Sequence, residues 1–287
     1  MSAFRAMGTD WRIETECLDA RGYERVRAIV ECEEQRFSRF RADSGLSRLN
    51  RDRYLTDPAM AELVRLALRV RDATRGAFDP GVGASVIEAG YDRTFEELPA
   101  GRARASMTGK TGVACATVRG QTVRLGRGGR VDLGGIAKGW TVDRVGRYLR
   151  SRGASTFLID AGGDILIGGA DVSKGATVVQ VNSTPWMLHV ETGAVATSST
   201  VRRAWDTDRG RMHHIVDPRS GEPTRRAFAW VTVVAPRAAI ADALATSLLA
   251  DPDAALPALE GFEAEAFLMG HDGTPRMTPG MARWLAS

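Results

Sequence analysis

"VDLGGIAKGWTVDRV", residues 131–145, is where an extended segment gives way to a helix, and the chain can be read outward from it. The pattern predicts that a strand ends at Asp132, that Gly134 and Gly135 turn the chain, and that a helix begins near Ile136 and runs to Gly153. Val142, Val145 and Leu149 give that helix its apolar stripe. Downstream, "STFLIDAGGDILIGG" (155–169) reads as strand, Gly-Gly turn, strand. Further strands are expected in "TVVQVN" (177–182), "MLHVETGAVATS" (187–198), "HHIVD" (213–217) and "AWVTVVA" (229–235), and a helix in "RAAIADALATSLLA" (237–250). Upstream, "DWRIETEC" (10–17) alternates as a strand, and Val26, Ile29, Val30 and Phe37 recur at helical spacing. A second helix opens at Asp57-Pro58, cap then proline, and carries Leu63, Leu66, Ala67 and Val70 on one face until Gly76. Residues 90–112 read as loop with one short helix, and "TVRGQTVRLG" (117–126) as a hairpin. Strands and helices come in runs rather than in βαβ alternation. The expectation is therefore an α+β fold, mixed or antiparallel sheets with packed helices, as a single domain over residues 1–287.

A chain of 287 residues with 44% hydrophobic and 26% charged content can bury a sizeable core. Its net charge of +4 is spread along the length with no basic stripe, which argues against nucleic-acid binding but suits a small phosphate-rich ligand. Cys17, Cys32 and Cys115 are odd in number and lack CxxC spacing, so neither a disulfide framework nor a zinc cluster is expected. No apolar run reaches the roughly 18 residues of a membrane span. The N-terminal stretch has no apolar signal core, and the chain as given reads as cytoplasmic.

Several short stretches carry chemistry. Lys138 is one of only three lysines, with Lys110 and Lys174, and it falls in the first turn of the helix after the glycines. Free N–H groups and the helix dipole there attract phosphate, and the ammonium would face the same anion. The spacing fits neither a Walker loop nor GxGxxG, and a capped turn bearing a solvated lysine is the alternative. "ADALATSLLA" holds Asp242 and Thr246 at i and i+4, hard oxygen donors suited to Mg²⁺ or else a solvated polar face. "RMHHIVDPRSGEP" supplies His213 and His214, the latter a candidate acid/base or phosphate donor, or a structural strand histidine. Thr197 and Ser198 offer hydroxyls without the elbow of a serine hydrolase. Phe78 and Asp79 precede Pro80 in a turn, and Met7, Gly8 and Thr9 lie just ahead of the first strand.

Taken in order, "AMGTDW", "FSRFRADSGLSRLN", "GAFDPGVG", "VDLGGIAKGWTVD", "DAGGDILIGG", "HHIVDPRSGEP" and "VVAPRAAIADALATS" resemble the successive motifs of the ApbE family of flavin transferases, from Met7 to about Ser247. The resemblance implies a Mg²⁺-dependent enzyme that cleaves the pyrophosphate of FAD. It would attach FMN through a phosphoester to a threonine of an acceptor flavoprotein and release AMP. By position, Asp242 and Thr246 match the metal ligands, with the backbone carbonyls of Gly135 and Ala245. Lys138 and Asp132 match flavin-nucleotide contacts, as do Met7, Phe40, Asn50, Ala77, Phe78, Asp79 and Thr197. His214 matches the family histidine, so that His214, Lys138 and Asp242 are the expected catalytic residues. One departure is Ser199, which stands where the family usually has glycine. Two other functions use parts of the same pattern: an FAD pyrophosphatase, with water as acceptor, and a flavin-binding protein without catalysis. Asp242, Thr246 and Lys138 together argue against the latter.

Overall fold

The structure, a computed structural model, describes residues 2–94, 97, 116–169, 177–180, 186–201, 204–208, 210–224 and 227–285. A hairpin of β1 (Ser2–Ala6) and β2 (Thr9–Glu14) leads into helices α1 (Ala20–Phe37) and α2 (Gly45–Asp52), strand β3 (Tyr54–Thr56) and helix α3 (Pro58–Ala73). Helix α4 (Gly83–Glu88), strands β4 (Ala116–Arg119) and β5 (Thr122–Leu125), and helix α5 (Ala137–Ser151) follow. Seven of the next strands are β6 (Leu158–Ala161), β7 (Asp164–Ile167), β8 (Thr177–Gln180), β9 (Met187–Val190), β10 (Gly193–Ser199), β11 (Ala204–Thr207) and β12 (Gly210–His213). The chain continues through β13 (Phe228–Ala235), α6 (Ala238–Ala250), α7 (Pro252–Ala255), β14 (Glu265–Gly270) and β15 (Pro275–Met277).

Eight strands form one sheet in the order β1-β2-β6-β7-β10-β13-β14-β15, antiparallel at every pairing. Alternation sorts its two faces. Ala194, Ala196, Val231 and Val233 point toward the helices and join Trp140, Leu244 and Leu248 in the main core. Val195, Trp230, Val234 and Phe267 point the other way, where Leu188, Val190 and Met281 cover them. Helix α6 lies on β10 and β13 and packs against α5, which in turn rests on α1, β6 and β7. The α+β architecture expected from the sequence is thus present, with the α5–α6 pair clasped to the middle of the sheet.

Local signals explain the helix starts. Asp19 accepts from Gly22 N–H, Ser44 from Ser47 N–H, and Asp57 from Met60 N–H ahead of Pro58. Helices α5 and α6 differ, because Ile136 and Arg237 at their N-caps provide no side-chain acceptor. Each is capped by the other. Asp143 of α5 accepts from Ala238 N–H (2.8 Å) and Ala239 N–H (3.3 Å), while Asp242 of α6 accepts from Gly139 N–H (3.2 Å). The helices approach so closely that a Cβ on Gly139 would stand 2.3 Å from the Ala238 carbonyl oxygen.

Three expectations need correction. No strand ends at Asp132, because the Val131 backbone is bonded to the Asn50 side chain and Asp132 N–H to the Pro80 carbonyl. The strand foreseen over 213–217 stops at His213; the chain then folds back on itself, Thr224 N–H reaching the Ile215 carbonyl. Nor is there a solvated polar face on α6, which is buried almost all round, Asp242 being only 6% exposed. Lys110, Lys174, Cys115 and most of the loop expected over 90–112 lie outside the described residues. No helix among those described is long and apolar enough to cross a membrane.

Gly139→Ala should therefore destabilise the protein by about 1–3 kcal/mol, the usual cost of forcing atoms into a packed contact. Urea unfolding measures it, and a wild-type midpoint would show that the two helices do not touch there.

Candidate active site

The hard-oxygen donors meet where α5 begins. Asp242 and Thr246 are one turn apart on α6, and Thr246 Oγ1 shares a hydrogen bond with Ser198 Oγ of β10 at 3.2 Å. Gly135 lies directly over that hydroxyl, since a Cβ built on it would be 3.1 Å from Thr246 Oγ1 and 3.4 Å from the Phe78 ring. The absence of a side chain leaves the Gly135 backbone beside Thr246. One carboxylate, one hydroxyl and nearby backbone oxygens fit Mg²⁺, which takes few protein ligands and keeps several waters. They do not fit zinc, which prefers histidine and cysteine. No group of three or more His, Cys, Asp or Glu gathers as a metal site among the described residues. Ala245 has a methyl side chain with no donor atom, so only its backbone carbonyl could contribute.

Lys138 is not a solvated lysine. Its ammonium is ion-paired with Asp164, the first residue of β7, and that carboxylate is 3% exposed. Asp164 is held there by the Gly162–Gly163 turn, whose φ values of +66° and +98° suit glycine in a two-residue hairpin. The matching turn at Met7 and Gly8 (φ +52° and +68°) joins β1 to β2. Gly162 abuts Thr9 so tightly that a Cβ would collide with its hydroxyl, which brings the Met7 stretch beside the Asp164 turn.

A second group forms around Asp132. The Arg39 guanidinium pairs with this carboxylate at 3.1 Å, donates to the Tyr91 carbonyl at 2.7 Å, and lies over the rings of Phe40 (4.4 Å) and Tyr91 (4.3 Å). Tyr91 in turn stacks on Trp205 and meets His214 edge-on at 6.2 Å. Phe40 is among the few exposed large apolar side chains. The loop 131–136 links both groups, with Asp132 at one end and Gly135 at the other. Asn50 fixes its start, donating to the Val131 carbonyl and accepting from Val131 N–H, each at 2.8 Å. Asp79 accepts from Gly81 N–H at 2.7 Å and thereby shapes the turn whose Pro80 carbonyl holds Asp132 N–H. Burial pushes the Asp79 carboxyl above its usual range, partly opposed by that N–H. Ala77 and Phe78 are buried behind it.

Thr197 stands apart. Its hydroxyl bonds Thr232 at 2.8 Å on the sheet face away from α6, so the sheet separates it from Asp242. Ser198, one residue on, is the β10 hydroxyl that faces α6. Ser199 turns its hydroxyl onto the Ala229 carbonyl and receives Val201 N–H, so the serine is accommodated by its own loop. The sequence reading singled out the Ser198 hydroxyl together with Thr197 but matched only Thr197 to the flavin site, and it missed Asp164, Arg39 and Tyr91 as members of these groups. Asp164 had a signal, a lone carboxylate after a Gly-Gly hairpin; the pairing of Arg39 with Tyr91 spans a separation that no local pattern reports.

The ApbE family model matches residues 7–268. A FAD:protein FMN transferase of Escherichia coli (strain K12) is 27% identical over 267 residues, covering 85% of this chain and 76% of that protein. One from Vibrio cholerae is 31% identical over 252 residues, with 78% and 71% covered. The crystal structure of the ApbE protein from Thermotoga maritima superimposes with a TM-score of 0.86 at 25% identity, over 100% of this chain and 99% of the other. The flavin transferase ApbE of Vibrio cholerae shares the fold, with a TM-score of 0.83 at 24% identity over 99% and 98% of the two chains.

His213, next to His214, makes a different kind of contact. Its Nε2 meets the Thr224 carbonyl at 2.9 Å, and burial pushes the imidazole below its ordinary value of 6.5. The unfolded chain then binds the extra proton, so the stability is complete above pH 6.5 and declines as the pH falls below it. His213→Gln should flatten the dependence of melting temperature on pH between about 5 and 7. A slope equal to that of wild type would refute the assignment.

Proposed function

The chain belongs to the ApbE family, and from that membership we propose that it is a Mg²⁺-dependent FAD:protein FMN transferase with a threonine hydroxyl as acceptor. The observation that carries the reading is the meeting of Asp242, Thr246 and Gly135 beside the first turn of α5, the turn that also carries Lys138. Pure flavin binding needs no such set, whereas phosphoryl transfer depends on positioning and charge neutralisation.

Asp242, Thr246 and the carbonyls of Gly135 and Ala245 would hold Mg²⁺, which when bound neutralises charge on the FAD pyrophosphate. Lys138 binds the same pyrophosphate with its ammonium, which is otherwise matched by the Asp164 carboxylate. The aromatic and guanidinium surfaces of Phe40, Arg39 and Tyr91 offer a face on which a flat ring system can stack. In the transfer, the acceptor threonine oxygen forms a bond to the phosphorus on the FMN side. The bond from that phosphorus to the bridging oxygen breaks, and AMP leaves with the electron pair. His214 takes the hydroxyl proton on a ring nitrogen. If water entered in place of threonine, the same groups would release FMN and AMP.

Incubation with FAD, Mg²⁺ and a threonine-bearing flavoprotein domain tests the reading, with in-gel fluorescence for covalent flavin and chromatography for FMN and AMP. Protein-linked fluorescence together with AMP is expected; free FMN alone, with the acceptor unlabelled, would assign the chain as a hydrolase instead. Asp242→Ala should abolish both products, and full turnover in EDTA would remove the metal from the scheme. Lys138→Ala should lose roughly 1.5–3 kcal/mol in FAD binding or turnover, the worth of a charge-assisted hydrogen bond. Lys138→Arg should recover only part of it, because a planar fork does not replace a compact ammonium. Wild-type behaviour of Lys138→Ala would leave the lysine with no part in the reaction.

A further inference from the structure

We propose that Asp143 is the positioning residue of the metal site, fixing from α5 the rotation at which α6 presents Asp242 and Thr246. The inference rests on the reading that these two residues hold Mg²⁺.

Helix α6 has no preferred side of its own. Its sequence, "AAIADALATSLLA", is apolar nearly all round, and it is buried against β10 and β13 on one side and α5 on the other. A helix of this kind is held in the interior by the hydrophobic effect, and without a distinct apolar stripe its rotation about its axis is set by close contacts and polar ties rather than by the direction of burial. A slip of one residue would turn Asp242 by about 100°. Burial alone therefore cannot aim the carboxylate.

The polar pins supply what is missing. The first-turn N–H groups of Ala238 and Ala239 both donate to Asp143, one to each carboxylate oxygen, and Arg237 at the N-cap pairs with the same group at 3.4 Å. Three consecutive residues at the start of α6 are thus tied to one side chain of α5. Asp143 is itself buried, and it lies one turn beyond Gly139, whose N–H is donated to Asp242. The tie and the metal carboxylate are therefore referenced to the same short length of α5. Gly139 closes the arrangement by permitting contact with the Ala238 backbone. In this proposal Asp143 acts through the helix, by way of its ties to Arg237, Ala238 and Ala239.

A merely structural cap would lower stability and leave the metal affinity of the folded protein unchanged, which separates the two roles. The full-length chain is titrated with Mn²⁺, a paramagnetic stand-in for Mg²⁺, with free ion read by electron paramagnetic resonance well below the melting temperature. The proteins are wild type, Asp143→Asn, Asp143→Glu and Asp57→Ala; the last removes an N-cap of α3, outside the metal site. Asp143→Asn and Asp143→Glu should bind Mn²⁺ at least about tenfold more weakly, the scale of loss for residues that orient ligands. Asp57→Ala should melt lower and bind as wild type does. If both Asp143 variants bind like wild type while melting lower, Asp143 is only a cap and the proposal fails. If neither folds, Asp143 is a folding determinant and the positioning role is equally lost. Absence of Mn²⁺ binding by wild type would overturn the metal reading itself, and this inference with it.

Discussion

Two helix N-termini lie side by side in this structure, neither with a side-chain cap from its own N-cap residue and both carrying the positive end of a helix dipole. Alone, such ends repel and leave donors unsatisfied in an apolar interior, where each orphaned donor costs about 1–3 kcal/mol. The conflict is resolved by exchange, Asp143 of α5 serving α6 and Asp242 of α6 serving α5. The same exchange sets what the site can do. Asp242 is held at the mouth of α5 by a backbone donor, on the same turn that projects Lys138, and the missing side chain of Gly139 lets the two helices come close enough for it.

Around that clasp the chain keeps its charges in pairs. Lys138 is matched by Asp164 and Arg39 by Asp132, each carboxylate largely buried and each brought by a different part of the chain. A cation fixed by a buried carboxylate loses little freedom when an anionic ligand arrives, because its position is already determined. The loop 131–136 joins the two pairs. It is held at its start by Asn50 and the Pro80 carbonyl rather than by a strand partner, so its path is set by side chains and turns from α2 and the 79–82 segment. These restraints place Asp132 against the Arg39 guanidinium, which lies over the Phe40 and Tyr91 rings, at one end and Gly135 over the Thr246 hydroxyl at the other.

Much of this was legible along the chain. Asp57-Pro58, the alternation in "DWRIETEC" and the apolar stripe of 142–149 are local signals, and local energetics decide such elements wherever neighbours do not object. The Gly-Gly turn before Asp164 and the break before Lys138 were legible for the same reason, since positive φ and close approach demand glycine. The strand expected at Asp132 failed because a ladder needs a partner strand, and here side chains supplied the hydrogen bonds instead. Sequence left a solvated polar face open as the alternative for Asp242 and Thr246 because an i, i+4 pair of Asp and Thr looks the same whether water or another helix covers it, and burial of α6 removes that alternative.

The sequence by itself determined the elements, the turns and the residue types able to bind phosphate and a hard cation, because these follow from backbone preference and side-chain chemistry within a few residues. Tertiary structure alone decided which of them meet. It selected Ser198 over Thr197 by the parity of β10 against α6, paired Lys138 with a carboxylate 26 residues away, and matched Arg39 to a ring 52 residues on. Those choices depend on register and on helix rotation, and both are fixed only when sheet and helices pack together and each buried donor must find an acceptor.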